Sequence, residues 1–289
     1  MEKETLKAMA IKPRIQSIPY GTAWPARFVA GLVIGFLALV PLWAGNGASG
    51  QFISPGDISR EFEKLERSED RNDFSGDAVF ANFREIKMGS IRPGLLYRSR
   101  HPALPDSRSP YAAKLAQDAG IAAIVDLADT PEELAHLARS VPWYEYFLYR
   151  KSVIALGMGY DFYDSVFNAK LKKGLLFILE KQGPFLIHCN EGRDRTGFAA
   201  LLLEALMGAT AEEIIKDYMQ TFINYYNFVP GEERYRIISR IAINHLDHIS
   251  GGKGVPDIQK GAEKYLVEKT GLSRGELKAL KAKLSGAAR

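Results

Sequence analysis

The chain has 289 residues, 46% hydrophobic and 25% charged, a balance that excludes a collagen, a disordered tail or a polytopic membrane protein. Lys and Arg number 38 against 34 Asp and Glu, but the first 44 residues hold five bases (Lys3, Lys7, Lys12, Arg14, Arg27) and two acids (Glu2, Glu4), leaving 33 bases against 32 acids. The pI near 8.9 is therefore a property of the N-terminus, and a nucleic-acid partner, which calls for a basic excess over the folded part, is not expected.

From Phe28 to Ala44 the sequence reads FVAGLVIGFLALVPLWA, without a charge, behind a basic stretch. Its length sits at the lower limit for spanning a bilayer, and the small-residue tract after it (Gly45 to Gly50) resembles the end of a secretory leader. Residues 1–48 are expected to be a signal peptide, with Leu42 and Ala44 before the cut, or else an uncleaved N-terminal membrane anchor. By the positive-inside tendency, the chain beyond this segment is expected outside the inner leaflet: exported to the periplasm or medium, or anchored in the inner membrane.

Residues 49–80 are charged and weakly periodic and read as a linker with room for a short helix; residues 81–286 read as the folded domain. There, GLLYRS (94–99) predicts a strand, and Ser109 and Pro110 open a helix that Gly120 closes. IAAIVDL (121–127) is an apolar run of the kind buried on both faces of a sheet, and Thr130-Pro131-Glu132-Glu133 is a capping box. The aromatic WYEYFLY (143–149) predicts another strand, 161–182 a helix closed by Gly183, and PFLIHC (184–189) a short buried strand. Helices follow over 195–207 and 211–226, separated by Gly208, with further helices over 259–286. This alternation implies an α/β fold with a central, mostly parallel sheet flanked by helices, and extra helices at the C-terminus.

The informative segment is His188-Cys189-Asn190-Glu191-Gly192-Arg193-Asp194-Arg195-Thr196-Gly197, lying between a buried strand and a helix start. The backbone N–H groups of a tight loop entering a helix converge on one point, which makes an anion site. A cysteine at the head of such a loop is placed to react as a thiolate, stabilised by those amides and by Arg195. The planar fork of Arg195 suits two oxygens of a tetrahedral oxyanion, Gly192 permits a positive φ, and Thr196 offers a hydroxyl near the sulfur. The single cysteine allows no intrachain disulfide and no second thiol to resolve a redox intermediate.

His-Cys-x2-Gly-x2-Arg-Thr-Gly resembles the phosphate loop of the cysteine-dependent protein tyrosine phosphatase superfamily. Asn82-Phe83-Arg84, Leu96-Tyr97-Arg98-Ser99, GMGYDF (157–162) and GATAEEIIKDYM (208–219) are similar to a bacterial group with secreted and lipid-active members. The resemblance implies a phosphomonoester hydrolase that needs no metal or other cofactor, in which Cys189 attacks phosphorus, a carboxylic acid protonates the leaving oxygen, and water hydrolyses the phosphocysteine. It implies that Asn190, Glu191, Gly192, Arg193 and Asp194 line the phosphate, with Arg98 beside them. The acid is either one of Asp126 and Asp129, at the C-terminal end of a central strand where open α/β sheets bind ligands, or Asp194 within the loop.

Arg193 stands where several phosphoinositide-active relatives have Lys. With Arg195, Arg98 and Arg100 it could accept substrates with more than one phosphate, so the expected activity is a protein-tyrosine phosphatase whose substrate, a phosphorylated protein, extends from phosphotyrosine to phosphoserine or phosphothreonine and to a phosphoinositide or inositol phosphate. An inositol polyphosphate phosphatase and a non-catalytic phosphate-binding module are the rival readings. Asp161 and Asp164 read as helix-start acids, His188 as a residue that sets the loop, and His245 and His248, with Asp247, as ordinary helix residues and no metal site.

Overall fold

A computed structural model describes residues 53–251 and 257–287. The apolar segment at 28–44, and with it the leader or anchor, lies outside the described residues, among which no helix is long and apolar enough to cross a membrane.

Five short strands form one sheet in the order β1 (Arg84–Glu85), β2 (Leu96–Ser99), β5 (Phe185–His188), β3 (Ala123–Asp126) and β4 (Val153–Ala155). Only β1 runs antiparallel. All four residues of β3 and of the central β5 are buried, as expected for strands covered on both faces. Their side chains alternate between two cores. Ala123, Val125, Phe185 and Ile187 enter the larger one, while Ile124 and Leu186 enter a smaller one with Tyr144 and Phe147. The register sets His188 beside both Ser99 and Asp126, so three strands end level where the cysteine loop begins.

The smaller core is roofed by α3 (Ser109–Asp118), α4 (Pro131–Ala138) and α5 (Pro142–Tyr149). The larger one is built with α6 (Ser165–Glu180), α7 (Asp194–Leu206), α8 (Ala211–Tyr226), α9 (Glu233–Ile249), α10 (Ile258–Glu268) and α11 (Arg274–Ser285). Every residue of α7 is buried: from Gly197 to Leu206 it is apolar on all sides except for Glu204, which suits a helix at the centre of a domain, and its polar residues Asp194, Arg195 and Thr196 stand in the first turn. Thr130 with Glu133 and Thr210 with Glu213 form capping boxes at the starts of α4 and α8.

Three local expectations are corrected. Residues 143–149 are not a strand but most of α5: Pro142 opens the helix, and Tyr144 and Phe147, three apart, both reach the smaller core while Tyr146 and Tyr149 face solvent. Aromatic content favours strands only as a weak prior, and packing at helical spacing overrides it. Second, Ser109 is the first residue of α3 and not its cap. The Asp106 carboxylate accepts from the Arg108 and Ser109 N–H groups at 2.9 Å each, and the Ser109 hydroxyl donates to the His101 carbonyl at 2.8 Å. Third, α6 starts after Asp164, which caps it by accepting from the Phe167 N–H at 2.6 Å, and Asp161 stays in the preceding loop; at the other end α6 stops at Glu180, with Gly183 beyond the cap.

The described part of the expected linker is packed against the domain. Helix α1 (Pro55–Glu63) buries Ile58, and Phe62 meets Phe222 of α8 edge-on, with ring centroids 6.0 Å apart. A 3-10 turn (Arg71–Asp73) and the four-residue α2 (Asp77–Phe80) follow, with Phe80 fully buried.

Candidate active site

The loop from Cys189 to Arg195 connects β5 to α7, and Cys189 itself is buried at 3% exposure. Gly192 turns it at φ +67°, and a Cβ there would lie 2.2 Å from the Ser99 carbonyl oxygen, so the turn requires glycine. Beneath the turn, Arg98 Nη2 donates to the Gly192 carbonyl at 2.8 Å, and Asn82 Nδ2 donates to the Glu191 carbonyl at 3.2 Å. Arg98 Nη1 and Arg84 Nε each reach an oxygen of Asp217 in α8, at 2.5 and 2.8 Å. Burial would raise the Asp217 pKa, but these two guanidinium groups hold it below the usual carboxylate value.

Arg98 was expected to touch substrate. It is instead wholly buried, with both terminal nitrogens engaged, and it supports the loop from behind. Arg100 is paired with Asp106. Arg193 is turned into the protein: its Nε meets Asp194 at 3.1 Å, and its Nη1 meets the Tyr226 hydroxyl at 2.5 Å and Glu191 at 3.0 Å. Three of the four arginines expected to widen the site are thus held in internal pairs, because buried guanidinium groups need acceptors close by.

Arg195 closes the loop beneath the segment after β4. Its Nη1 donates to the Met158 carbonyl and its Nη2 to the Tyr160 hydroxyl, both at 2.9 Å, and its Cζ lies 4.5 Å from the centre of the Tyr160 ring. Burial works against its charge, yet the neighbouring Cys189, Tyr160 and Asp194 hold its pKa above the ordinary arginine value. Thr196 is fully buried, and its hydroxyl has no hydrogen-bond partner among the described residues.

The candidate acids differ in their surroundings. Asp126 is fully buried, and its Oδ1 accepts from the Ala128 and Asp129 N–H groups at 2.8 and 3.3 Å. Burial, and then the charge of Asp129, push its pKa well above the ordinary value of 3.8. Asp129 meets His101 Nε2 at 2.7 Å, and since His101 Nδ1 accepts from the Ala103 N–H at 2.9 Å, the Nε2 side carries the proton and donates to Asp129. Asp194, the first residue of α7, meets the guanidinium of Arg193. His188 Nε2 shares a 2.7 Å hydrogen bond with the Tyr144 hydroxyl, and burial followed by the nearby His101 keeps its imidazole neutral.

Ligand atoms of His101, Asp126 and His188 lie within 4.8 Å of one another and are the one described group with metal-ligand spacing. His101 is tied to Asp129 and Ala103 and His188 Nε2 to Tyr144, while His188 Nδ1 and Asp126 Oδ2 have no hydrogen-bond partner among the described residues. His245 is also a core residue, 2.7 Å from the Tyr163 hydroxyl, with its pKa pushed down to about 3 by burial and then by His248. Sequence reasoning missed His101, Tyr144, Asp217 and Arg67 as site residues. Asp217 carried a signal within the GATAEEIIKDYM run, as did Tyr160 within GMGYDF.

The sequence profile of the tyrosine phosphatase family matches residues 79–286. The chain belongs to that family. A protein of Cupriavidus necator assigned as a tyrosine-protein phosphatase is 29% identical over 157 residues, 45% of this chain and 54% of that protein, so the chain spans about half the length of this curated relative. Among solved structures, the core catalytic domain of the PP-IP phosphatase of S. cerevisiae, in complex with citrate, is 19% identical over 61% of this chain and 94% of its own, with a TM-score of 0.34.

Proposed function

We propose that this tyrosine phosphatase family member hydrolyses phosphomonoesters through a phosphocysteine intermediate, with phosphotyrosine in proteins as its substrate class. The reading is carried by Cys189 and Arg195 closing one glycine-turned loop between a buried strand and a helix N-terminus. The loop amides and the Arg195 fork bind the phosphoryl oxygens. Cys189 Sγ then attacks phosphorus, and the S–P bond forms as the bond to the tyrosyl oxygen breaks. We place the proton donor at Asp194 because it lies in the loop itself, where it must exchange the Arg193 guanidinium for the leaving oxygen, whereas Asp126 and Asp129 stand at the end of β3 beside His101. In the second step Asp194 takes a proton from water, which attacks phosphorus and releases the thiolate. A proton donor of this kind contributes about 10²–10⁴-fold.

A substrate with one phosphate is supported by the pairing of Arg98, Arg100 and Arg193 with carboxylates, which leaves Arg195, held by neutral oxygens and acted on by the charge of Cys189, as the arginine for the phosphoryl group. Export or inner-membrane anchoring, with the domain outside, is part of the proposal and rests on the apolar segment at 28–44. The test is phosphate release at pH 5 to 7 without added metal, from phosphotyrosine peptide, phosphoserine peptide, phosphoinositide and inositol hexakisphosphate. Vanadate-sensitive turnover, fastest on phosphotyrosine, lost in Cys189→Ser and strongly reduced in Asp194→Asn, is the expected result. Vanadate binding without turnover on any substrate would replace the enzyme by a phosphate-reading module.

A further inference from the structure

The family match begins at residue 79, yet the stretch before it touches the phosphate loop twice. Arg67 Nη1 donates to Glu191 Oε1 at 2.6 Å, and the ring of Phe62 lies 5.3 Å from the Arg193 guanidinium carbon. Arg67 is itself held in place. Its Nε meets Glu69 at 2.8 Å and its guanidinium lies 5.3 Å from the Tyr225 ring centre, while Glu69 also accepts from Arg108 at 3.1 Å and Ser107 at 3.0 Å. Arg108 in turn donates to the Ser68 and Phe80 carbonyls, which ties the strap to the domain immediately after the contact.

Glu191 puts a carboxylate two positions from Cys189, in the loop proposed to receive a phosphate dianion. Burial alone would raise its pKa, but Arg193, Arg67 and Arg100 pull it down to about 2, so it is ionised at every pH at which the loop works. A lone negative charge there would repel the incoming phosphate at short range through a low-dielectric interior. Two of its neighbours are internal to the family domain. Arg67 is not, and it supplies the shortest of the contacts to the Glu191 carboxylate.

We propose that Arg67, delivered by the strap of residues 53–78, is a positioning residue of the phosphate loop: it neutralises Glu191 and fixes the loop in its anion-binding shape. The strap is then part of the working site and not a tether. The inference deepens the phosphate-hydrolysis reading and rests on the loop being an anion site.

The test is a charge cycle in the full chain, read by vanadate affinity from calorimetry, by kcat and KM on phosphotyrosine peptide, and by thermal unfolding. Arg67→Ala is expected to weaken vanadate binding about tenfold and to raise KM more than it lowers kcat, because Glu191, left with Arg193 as its one ion-pair partner, opposes the dianion before chemistry begins. Arg67→Ala with Glu191→Gln is expected to recover vanadate affinity to within about threefold of the original, and Arg67→Lys to retain most of it. A merely structural Arg67 would lower the melting temperature with no recovery in the double variant. That result, or an Arg67→Ala protein with unchanged vanadate affinity, overturns the proposal. An unmodified chain that binds vanadate without turnover would sink the hydrolase reading alone, since the affinity cycle still decides the role of Arg67; one that binds no vanadate sinks both.

Discussion

Arg98 donates to the Gly192 carbonyl at 2.8 Å while its other terminal nitrogen meets Asp217 at 2.5 Å, so α8 holds the turn of the phosphate loop from beneath. Arg98→Met is therefore expected to disturb both stability and activity. It leaves the Asp217 carboxylate buried with Arg84 as its remaining guanidinium, and a broken buried pair costs about 3–5 kcal/mol, with the lower end expected here. Urea unfolding measures the loss, and phosphate release well below the melting temperature shows whether the freed Gly192 carbonyl also slows turnover.

The turn itself allows a sharper test. Gly192→Ala would put a methyl group 2.2 Å from the Ser99 carbonyl oxygen at a φ of +67°. The loop must shift to relieve that contact, and its amides then no longer converge. Phosphate release is expected to fall by more than about a hundredfold, or roughly 3 kcal/mol of transition-state stabilisation. Activity within tenfold of the original would mean that the loop tolerates another shape.

Tyr160 holds Arg195 by its hydroxyl and by its ring face. Removing the ring should matter more than removing the hydroxyl, because an oxyanion can replace the phenol as partner of Nη2 but not the surface on which the guanidinium rests. Tyr160→Ala is expected to weaken vanadate binding about fivefold, the scale of a partly buried cation–π contact of ~1 kcal/mol, and Tyr160→Phe by less than about twofold. Inhibition constants measured side by side decide it.

Glu204 in α7 gives a pH prediction. It is 1% exposed, and neither carboxyl oxygen has a hydrogen-bond partner among the described residues. Burial, followed by the charge of Asp217, raises its pKa well above the ordinary value of 4.5, so the folded protein keeps a proton that the unfolded chain gives up. The stability it contributes is fully present below pH 4.5 and is lost as pH rises toward the folded value. The stability advantage of Glu204→Gln over the unmodified protein should therefore be smallest near pH 4.5 and grow up to neutral pH. Unfolding curves of both proteins at several pH values check the sign, and a gap that narrows with rising pH refutes it.

Much of the site was legible because its central parts are contiguous. The apolar run before Cys189, the glycine at the turn and the helix start behind it lie within a dozen residues, and local sterics and backbone polarity dictate their shape. The capping boxes at Thr130 and Thr210 were legible for the same reason, since a cap involves residues only three apart. Helix α5 was not, because WYEYFLY carries residues that suit a strand, and only packing of Tyr144 and Phe147 into one core decides for the helix.

The polar surroundings of the loop were beyond a linear reading. Arg67 and Glu191 are 124 positions apart, and Arg98 and Asp217 are 119 apart. The sequence by itself determined that a loop headed by Cys189 and closed by Arg195 sits between a buried strand and a helix, because the hydrogen-bonding capacity and steric limits of neighbouring residues act over short range. Only the tertiary structure decided which charges face that loop and which are spent on holding it, because a buried ion must find its partner wherever the fold brings one within about 4 Å.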